Sequence, residues 1–361
     1  MRVVIVGAGV FGASLAWTLA GRGDEVVLVD QFEPGDRRAT SGGETRLIRC
    51  GHGAETDYTA MARRAWALWR ELDADVLTET GVCWFSHADD DWVAESEASL
   101  RELGIPAERW SVDDAAKRFP SLSVDDLSWV LYEPEAGVLQ AQKAVRALVA
   151  QAQARGAELV RGRAKPHGDA VLVDGAALEG DRVVWSCGGW LSSLFPDVVE
   201  VRVALQELFF FAGGPAWRDV PSWIDPGHNM YGTPDLHGHG VKVACDDTGP
   251  ALDPDAELPP ASETGEKRAR DYLAARFPAL ADAPLAGSTT CRYELSADTH
   301  FIVAPHPDHA SVWLVGGGSG RGFKHGPALA ERIVADWDGK AALPAHFGLA
   351  GRSLRGAGWR F

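Results

Sequence analysis

The sequence predicts an α/β protein, α+β overall, in which a Rossmann-like dinucleotide-binding domain is interleaved with a second domain on a mixed or antiparallel sheet. Three observations carry that expectation. An apolar run, Val3-Val4-Ile5-Val6, feeds Gly7-Ala8-Gly9-Val10-Phe11-Gly12 and an Ala-rich helix. A second apolar run, Val26 to Val29, ends on Asp30. Much further along, Val312-Trp313-Leu314-Val315 enters a second glycine run, Gly316-Gly317-Gly318-Ser319-Gly320.

Each part of the first unit has a physical reason. A buried parallel strand delivers the chain to a glycine turn, and Gly7, Gly9 and Gly12 let the backbone and the helix N-terminus at Val10 and Phe11 approach a pyrophosphate. Asp30 ends the second strand, where its carboxylate can accept a hydrogen bond from an adenosine ribose. A lone G-x-G-x-x-G is a weak signal, but here it sits between a strand and a helix and is followed by the acidic residue at about the ~20-residue separation expected. A glycine turn without a ligand does not readily explain the two flanking strands together with Asp30. These residues do not distinguish FAD from NAD.

Composition narrows the partners. The 361 residues suffice for about two domains, and the net charge of -16, from 35 basic and 51 acidic side chains, repels a phosphate backbone and anionic lipid. No nucleic-acid partner is expected. Apolar stretches such as Leu208 to Ala212 fall far short of the ~18 residues of a membrane span. No cleavable signal is expected ahead of Val3, where the first strand begins. The five cysteines (Cys50, Cys83, Cys187, Cys245, Cys291) are odd in number and form no C-x-x-C pair, which argues against a disulfide framework or structural zinc. A cytoplasmic location fits that usage. His237-Gly238-His239 reads as a Gly/His-rich turn, since no Cys, Asp or Glu completes a ligand spacing, and no metal is expected.

Along the chain, the helix after Gly12 should end near Gly21 to Gly23, with the second strand from Glu25. Met61, Ala65, Leu68, Trp69 and Leu72 recur at helical spacing and predict a helix over 57–72, its aromatic residues in the core. From Gly81 the texture suggests short strands and polar turns. Ser111-x-x-Asp114 starts a helix that stops before Pro120, and a long helix over 141–155 leads through Gly156 to a strand at 158–161. Residues 182–185 form a buried strand running through Cys187 into Gly188, as at a sheet edge that faces a ligand. Strands follow at 205–212 and 240–244, an acidic, proline-rich loop at 252–260, a helix at 263–277 stopped by Pro278, and a last helix from about Pro327 to Trp337. Glycine-rich strand ends at both ends of the chain imply a nucleotide domain assembled from 1–80, 141–204 and 292–361, with a substrate domain from 81–140 and 205–291. A nicotinamide dehydrogenase more often keeps its cofactor domain contiguous, so the interruption favours FAD.

Three stretches make a family resemblance specific. Gly43-Glu44-Thr45-Arg46-Leu47-Ile48-Arg49, Cys291-Arg292-Tyr293 with Asp298-Thr299-His300-Phe301-Ile302 after it, and Gly320-Arg321-Gly322-Phe323-Lys324 resemble monomeric sarcosine oxidase and N-methyltryptophan oxidase, within the D-amino acid oxidase group of flavoproteins. The resemblance runs in register over nearly the whole chain. It implies an FAD-dependent oxidase, a monomer, that takes a small amine substrate and O2. Ser41, Gly43, Thr45, Arg46, Cys187, Gly188, Gly318, Gly320, Gly322, Phe323 and Lys324 join the first glycine loop as expected cofactor contacts.

The same resemblance assigns roles. Cys291 is the position at which the family attaches FAD through a thioether to the flavin 8α carbon, which requires a thiol activated by nearby cations; Arg46 and Arg292 are candidates. Read by itself, Cys291 could equally be a small core residue on a strand. Lys242 matches the lysine that promotes reaction of the reduced flavin with oxygen, although a lysine between valines could also mark a solvated strand face. Arg49 and Lys324 match the pair that grips a substrate carboxylate, Tyr231 and Tyr293 match positions near the substrate, and Arg46 lies against the flavin. Three positions depart: Asp246 and Arg321 stand where sarcosine oxidases have histidines, and Thr233 where they have an aromatic residue. These put the substrate in doubt, and a carboxylate at Asp246 with space beside Thr233 suggests a secondary or cyclic amino acid larger than sarcosine. The implied reaction is oxidation of a carboxylate-bearing amine by hydride transfer to flavin N5, giving an imine and, with O2, hydrogen peroxide. A flavin dehydrogenase with another electron acceptor, a nicotinamide-dependent dehydrogenase and a flavin-binding protein without turnover remain alternatives.

Overall fold

A computed structural model describes residues 1–88 and 91–352; residues 353–361, the end of the third expected nucleotide segment, lie outside the described residues. The first strand, Arg2–Val6, is buried on both faces. Val3 and Ile5 point into one apolar cluster and Val4 and Val6 into another, the signature of a sheet covered on both sides. It pairs in parallel with Glu25–Asp30 on one side and Arg182–Trp185 on the other. The six-stranded sheet runs Ile302–Pro305, Val312–Gly316, Arg182–Trp185, Arg2–Val6, Glu25–Asp30, Glu158–Arg161, and only Ile302–Pro305 is antiparallel to its neighbour.

One face of this sheet is covered by the helices Val10–Arg22, Thr56–Leu72, Ala141–Ala154 and Gly326–Trp337, whose Leu15, Leu68, Leu148 and Ile333 share a core with Ile5 and Leu28. The helix bounds follow the sequence expectation within two residues. The other face carries three short antiparallel strands, Ala164–His167, Ala170–Val173 and Ala176–Leu178, which the sequence did not predict. Apart from Val171 and Val173 their side chains are half-buried or exposed, so little apolar periodicity marks them.

The second layer is an eight-stranded sheet in the order Leu285–Ser296, Val201–Phe211, Val241–Cys245, Met230–Thr233, Ser222–Asp225, Val82–Ser86, Trp129–Glu133, Glu108–Trp110. It is antiparallel except where Ser222–Asp225 meets Val82–Ser86. Its two longest strands pair along their length, Gln206 opposite Cys291 and Ala204 opposite Tyr293, and they span the expected domain boundaries at 204/205 and 291/292. The helix Glu263–Arg276, capped by Ser262 accepting from the Gly265 N–H at 3.0 Å, packs Leu273 against this sheet beside Phe277. One segment differs from expectation: Asp91–Glu102 is a helix where strands and turns were predicted. Only Val93, Ser96, Ser99 and Leu100 of it are buried, and two small polar residues on the inner face blur the apolar stripe that reveals a helix.

A small sheet of Thr45–Ile48, Gly137–Gln140 and Leu77–Thr78 carries the Thr45-to-Arg49 motif. No described helix is long and apolar enough to cross a membrane.

Candidate active site

The expected nucleotide residues converge on one cleft, about 1440 Å³ of space including its open mouth. Gly7, Gly9, Val10, Phe11, Asp30, Ser41, Arg46, Cys187, Gly188, Gly318, Gly320, Gly322 and Phe323 all line it. Gly7 holds a left-handed φ of +104°, and a Cβ there would lie 2.3 Å from the Ser186 carbonyl oxygen. Gly12 does not face the cleft. A Cβ on it would lie 1.9 Å from the Gly7 carbonyl oxygen, so its role is close packing of the helix against the strand.

The chemistry of the cleft fits a dinucleotide such as FAD. The helix Val10–Arg22 has no acidic side chain in its first turn, leaving its N-terminal dipole open to an anion, while Ser41 Oγ accepts the Val10 N–H at 2.9 Å. Asp30 accepts from the Ala8 N–H at 2.6 Å and the Phe32 N–H at 2.7 Å, one bond to each oxygen, so each retains acceptor capacity for a ribose. Burial raises the Asp30 pKa against the pull of those two bonds.

Two smaller cavities adjoin the cleft, and Arg46 lines all three. Its guanidinium donates to the carbonyls of Thr45, Thr40 and Gly42 at 2.8, 3.1 and 2.6 Å, which fix it between them. Gly43, Thr45, Lys242 and Cys291 share one of these cavities with Leu208 and Phe210. Arg46 and Lys242 share this cavity and, with Arg292, favour the Cys291 thiolate, but burial outweighs them and the thiol pKa is raised. Burial thus opposes the activation that the sequence reading expects, while the three cations favour it.

Lys242 projects from the strand Val241–Cys245 into the same buried region, so the solvated-face reading is excluded. Its Nζ reaches Thr45 Oγ1 at 3.2 Å and lies 5.2 Å from the Tyr231 ring centre. With burial first and Arg46 second, its pKa falls to about 7.

The third cavity gathers Arg49, Tyr231, Lys242, Asp246, Tyr293, Arg321 and Lys324 around about 600 Å³ of space, open side included. Arg49 and Lys324 are each 4 % exposed, and neither pairs with a carboxylate among the described residues. Arg49 donates to the Gly51 carbonyl and stacks 4.9 Å from the Trp84 ring; Lys324 donates to the Arg321 carbonyl at 3.1 Å. Burial pulls the Arg49 pKa down to about 10, and burial, then Arg49 and Arg321, lowers that of Lys324. Tyr293 donates to Asp246 Oδ1 at 3.0 Å, and the Tyr231 hydroxyl lies 3.4 Å from that of Tyr293. Arg321 turns away from Asp246: its guanidinium pairs with Glu55, donates to the Thr299 carbonyl at 3.3 Å and lies 4.1 Å over the Tyr58 ring. Thr233 is buried with its hydroxyl 3.3 Å from the Pro234 carbonyl and is not among the residues lining this cavity.

Three acidic residues that hold the site were missed in the sequence. Glu294 accepts from the Gly317 and Gly318 N–H groups and ties them to Thr40, whose hydroxyl is 3.4 Å away. Glu133 accepts from the Cys50 N–H at 2.7 Å, the Gly51 N–H at 3.1 Å and Trp84 Nε1 at 2.8 Å, which fixes the turn after Arg49. Glu55 holds Arg321. A signal existed for Glu133: it is an acid at the end of the apolar and aromatic run Trp129-Val130-Leu131-Tyr132, where an ionised group needs partners.

The sequence pattern of the FAD dependent oxidoreductase family matches residues 2–337. Monomeric sarcosine oxidase of Bacillus sp. (strain B-0618) is 30 % identical over 352 residues, covering 91 % of this chain and 90 % of that protein. N-methyl-L-tryptophan oxidase of Salmonella arizonae is 25 % identical, with 93 % and 94 % covered. Among solved structures, L-proline dehydrogenase from P. horikoshii shares the fold with a TM-score of 0.85 at 18 % identity, over 98 % of this chain and 99 % of that one. With the match extending over almost its whole length, the chain belongs to the family of FAD-dependent oxidoreductases.

Proposed function

We propose that the protein is an FAD-dependent oxidase of a secondary amine that bears a carboxylate, an N-methyl or cyclic amino acid, with O2 as the final electron acceptor. The observation that carries this reading is the buried pair Arg49 and Lys324, two cations without a carboxylate partner among the described residues, facing a cavity next to the nucleotide cleft. A substrate carboxylate would supply the charge they lack, and Arg49 would add directional hydrogen bonds. FAD, when bound, supplies the hydride acceptor and the centre at which O2 is reduced to hydrogen peroxide.

The chain's own groups do the rest. Arg49 and Lys324 hold the carboxylate. Asp246, the only acid among the described residues that line that cavity, meets the amine end and takes its proton, which leaves the nitrogen lone pair free to assist loss of hydride from carbon. Tyr293 and Tyr231 orient that carboxylate. Lys242 places a cation where negative charge develops on oxygen, in an enclosure where that charge is poorly screened. Cys291 is the proposed attachment point for the flavin 8α carbon, a reading supported by its place beside Lys242 and Arg46. The segments 1–80, 141–204 and 292–361 are proposed as the FAD-binding domain and 81–140 with 205–291 as the substrate domain; the five free cysteines support a reducing, cytoplasmic setting.

Anaerobic mixing of the flavin-loaded protein with candidate amino acids should bleach the flavin absorbance, and admission of O2 should restore it with one peroxide per cycle. Bleaching by carboxylate-free amines alone would refute the substrate class. Bleaching without restoration by O2 would refute the oxidase assignment.

A further inference from the structure

Side chains alternate along the strand Leu285–Ser296, and Cys291 joins the apolar cluster of Leu208, Phe210 and Ala244 on one face. Arg292 and Glu294 therefore share the opposite face, and both line the nucleotide cleft. Arg292 is 2 % exposed. Its Nη2 donates to the Ala256 carbonyl, while Nε and Nη1 are buried with no acceptor among the described residues. The acids nearby have other partners: Asp255 accepts from Trp190 Nε1 at 2.8 Å and Arg163 at 3.0 Å, Asp253 accepts from the Asp255 N–H at 2.8 Å, and Glu294 holds Gly317 and Thr40. A guanidinium stays charged in a protein at neutral pH, so a desolvated one with two idle donors is a destabilising element until an anion arrives.

The position of that anion follows from the surrounding bonds. Glu294, on the same strand face, is tied to Thr40, and the adjacent Ser41 caps the Val10 N–H at the start of the first helix. Arg292 thus stands on the wall of the cleft that is joined to the helix N-terminus. Resting on the FAD reading above, we propose that Arg292 is an anion clamp for the cofactor, its Nε and Nη1 binding phosphate oxygens of the dinucleotide together with the helix N-terminus. A pyrophosphate offers several anionic oxygens to donors on different edges of one guanidinium, so helix and arginine can act together.

The test uses the full chain in a Cys291→Ala background, where binding is reversible whether or not the wild type forms a thioether. Titrations with FAD and with riboflavin, which has no phosphate, are followed by flavin fluorescence, alongside thermal melts of the flavin-free chains. Adding Arg292→Met should weaken FAD by roughly 10- to 100-fold, the range for losing charge-assisted hydrogen bonds, leave riboflavin binding unchanged, and leave the melting temperature of the flavin-free chain equal or higher. Arg292→Lys should recover part of the FAD affinity. Equal losses for FAD and riboflavin would overturn the phosphate assignment. A lowered melting temperature with unchanged FAD affinity would overturn the clamp and make Arg292 a brace for Ala256. If the Cys291→Ala chain bound neither flavin, the FAD reading would fall and the clamp with it.

Discussion

Tyr293 donates its phenolic hydrogen bond to Asp246 Oδ1 across 3.0 Å on the wall of the third cavity, and the two residues set the proton chemistry of the site. The bond favours the ionised carboxylate, as do Arg49 and Lys324, yet burial outweighs them and raises the Asp246 pKa to about 7. A carboxyl poised there can exchange a proton with an amine at neutral pH, which an ordinary aspartate cannot do well.

It follows that kcat/KM should rise with pH through an inflection near 7, because only ionised Asp246 can accept the ammonium proton. Asp246→Asn should lose that inflection and lower kcat/KM by roughly 10²-fold, within the range of general-base effects. Linkage gives a second sign. The folded-state pKa is raised from 3.8, so the group's contribution to stability is greatest at low pH and declines as pH rises from about 4 to about 7. The asparagine variant should therefore lack that decline in flavin-free melts. An unchanged pH profile in the variant would remove Asp246 from the proton path.

Lys242 titrates in the opposite sense. Its pKa is lowered from 10.5 to about 7, so the penalty for burying its charge is fully present below pH 7 and is relieved as pH rises towards 10.5. Lys242→Met should thus raise the melting temperature of the flavin-free chain at pH 6 and lose that advantage near pH 10. In the flavin-loaded protein, reduction by substrate should largely survive while reoxidation by O2 slows by about 10²–10³-fold, the usual effect of removing a preorganised charge. Stopped-flow reoxidation at the wild-type rate would contradict the oxygen role.

Covalent attachment is read directly by denaturation. Yellow colour should stay with the acid-precipitated wild-type polypeptide and pass to the supernatant in Cys291→Ala. Because burial raises the Cys291 pKa against Arg46, Lys242 and Arg292, attachment should also slow when Arg46 is replaced by Met. Quantitative release of FAD from the wild type would falsify the linkage and leave reversible binding intact.

Glu133 offers a test of how Arg49, the cation that grips the substrate carboxylate, is held. It accepts three hydrogen bonds, two of them from the turn that follows Arg49. Glu133→Ala should destabilise the fold by about 2–4 kcal/mol, since it orphans buried donors and removes an anion near Arg49. In the surviving enzyme KM should rise more than kcat falls. Equal stability and unchanged KM would mean that the turn is held by other contacts.

The nucleotide half of this picture was largely legible in the sequence because its signals are local. Strand, glycine turn, helix and Asp30 lie within thirty residues, and each has a backbone reason to be what it is. The glycine runs at 188 and 316–320 likewise mark strand ends that face the cleft. The antiparallel strands at 164–178 and the helix at 91–102 were hidden, since few of their side chains are buried and no periodic stripe results. At the site, Arg49, Lys324, Lys242 and Tyr293 came from motif resemblance rather than from spacing: they lie on separate elements that only the fold brings together. The orientation of Arg321 towards Glu55, and the anchoring by Glu133 and Glu294, depend on long-range partners that no local pattern reveals.

The carboxylate clamp is the central claim, and initial rates of peroxide formation test it most directly. They would be compared for sarcosine, proline, pipecolate and N-methyltryptophan against matched amines without a carboxylate, in the wild type and in Arg49→Ala. The clamp requires that a carboxylate-bearing secondary amine react best, and that Arg49→Ala lower its kcat/KM by roughly 10²-fold or more, as expected for breaking a buried charge pair, while barely changing the carboxylate-free amines. A carboxylate-free amine as the best substrate, or an unchanged kcat/KM in Arg49→Ala, would contradict it.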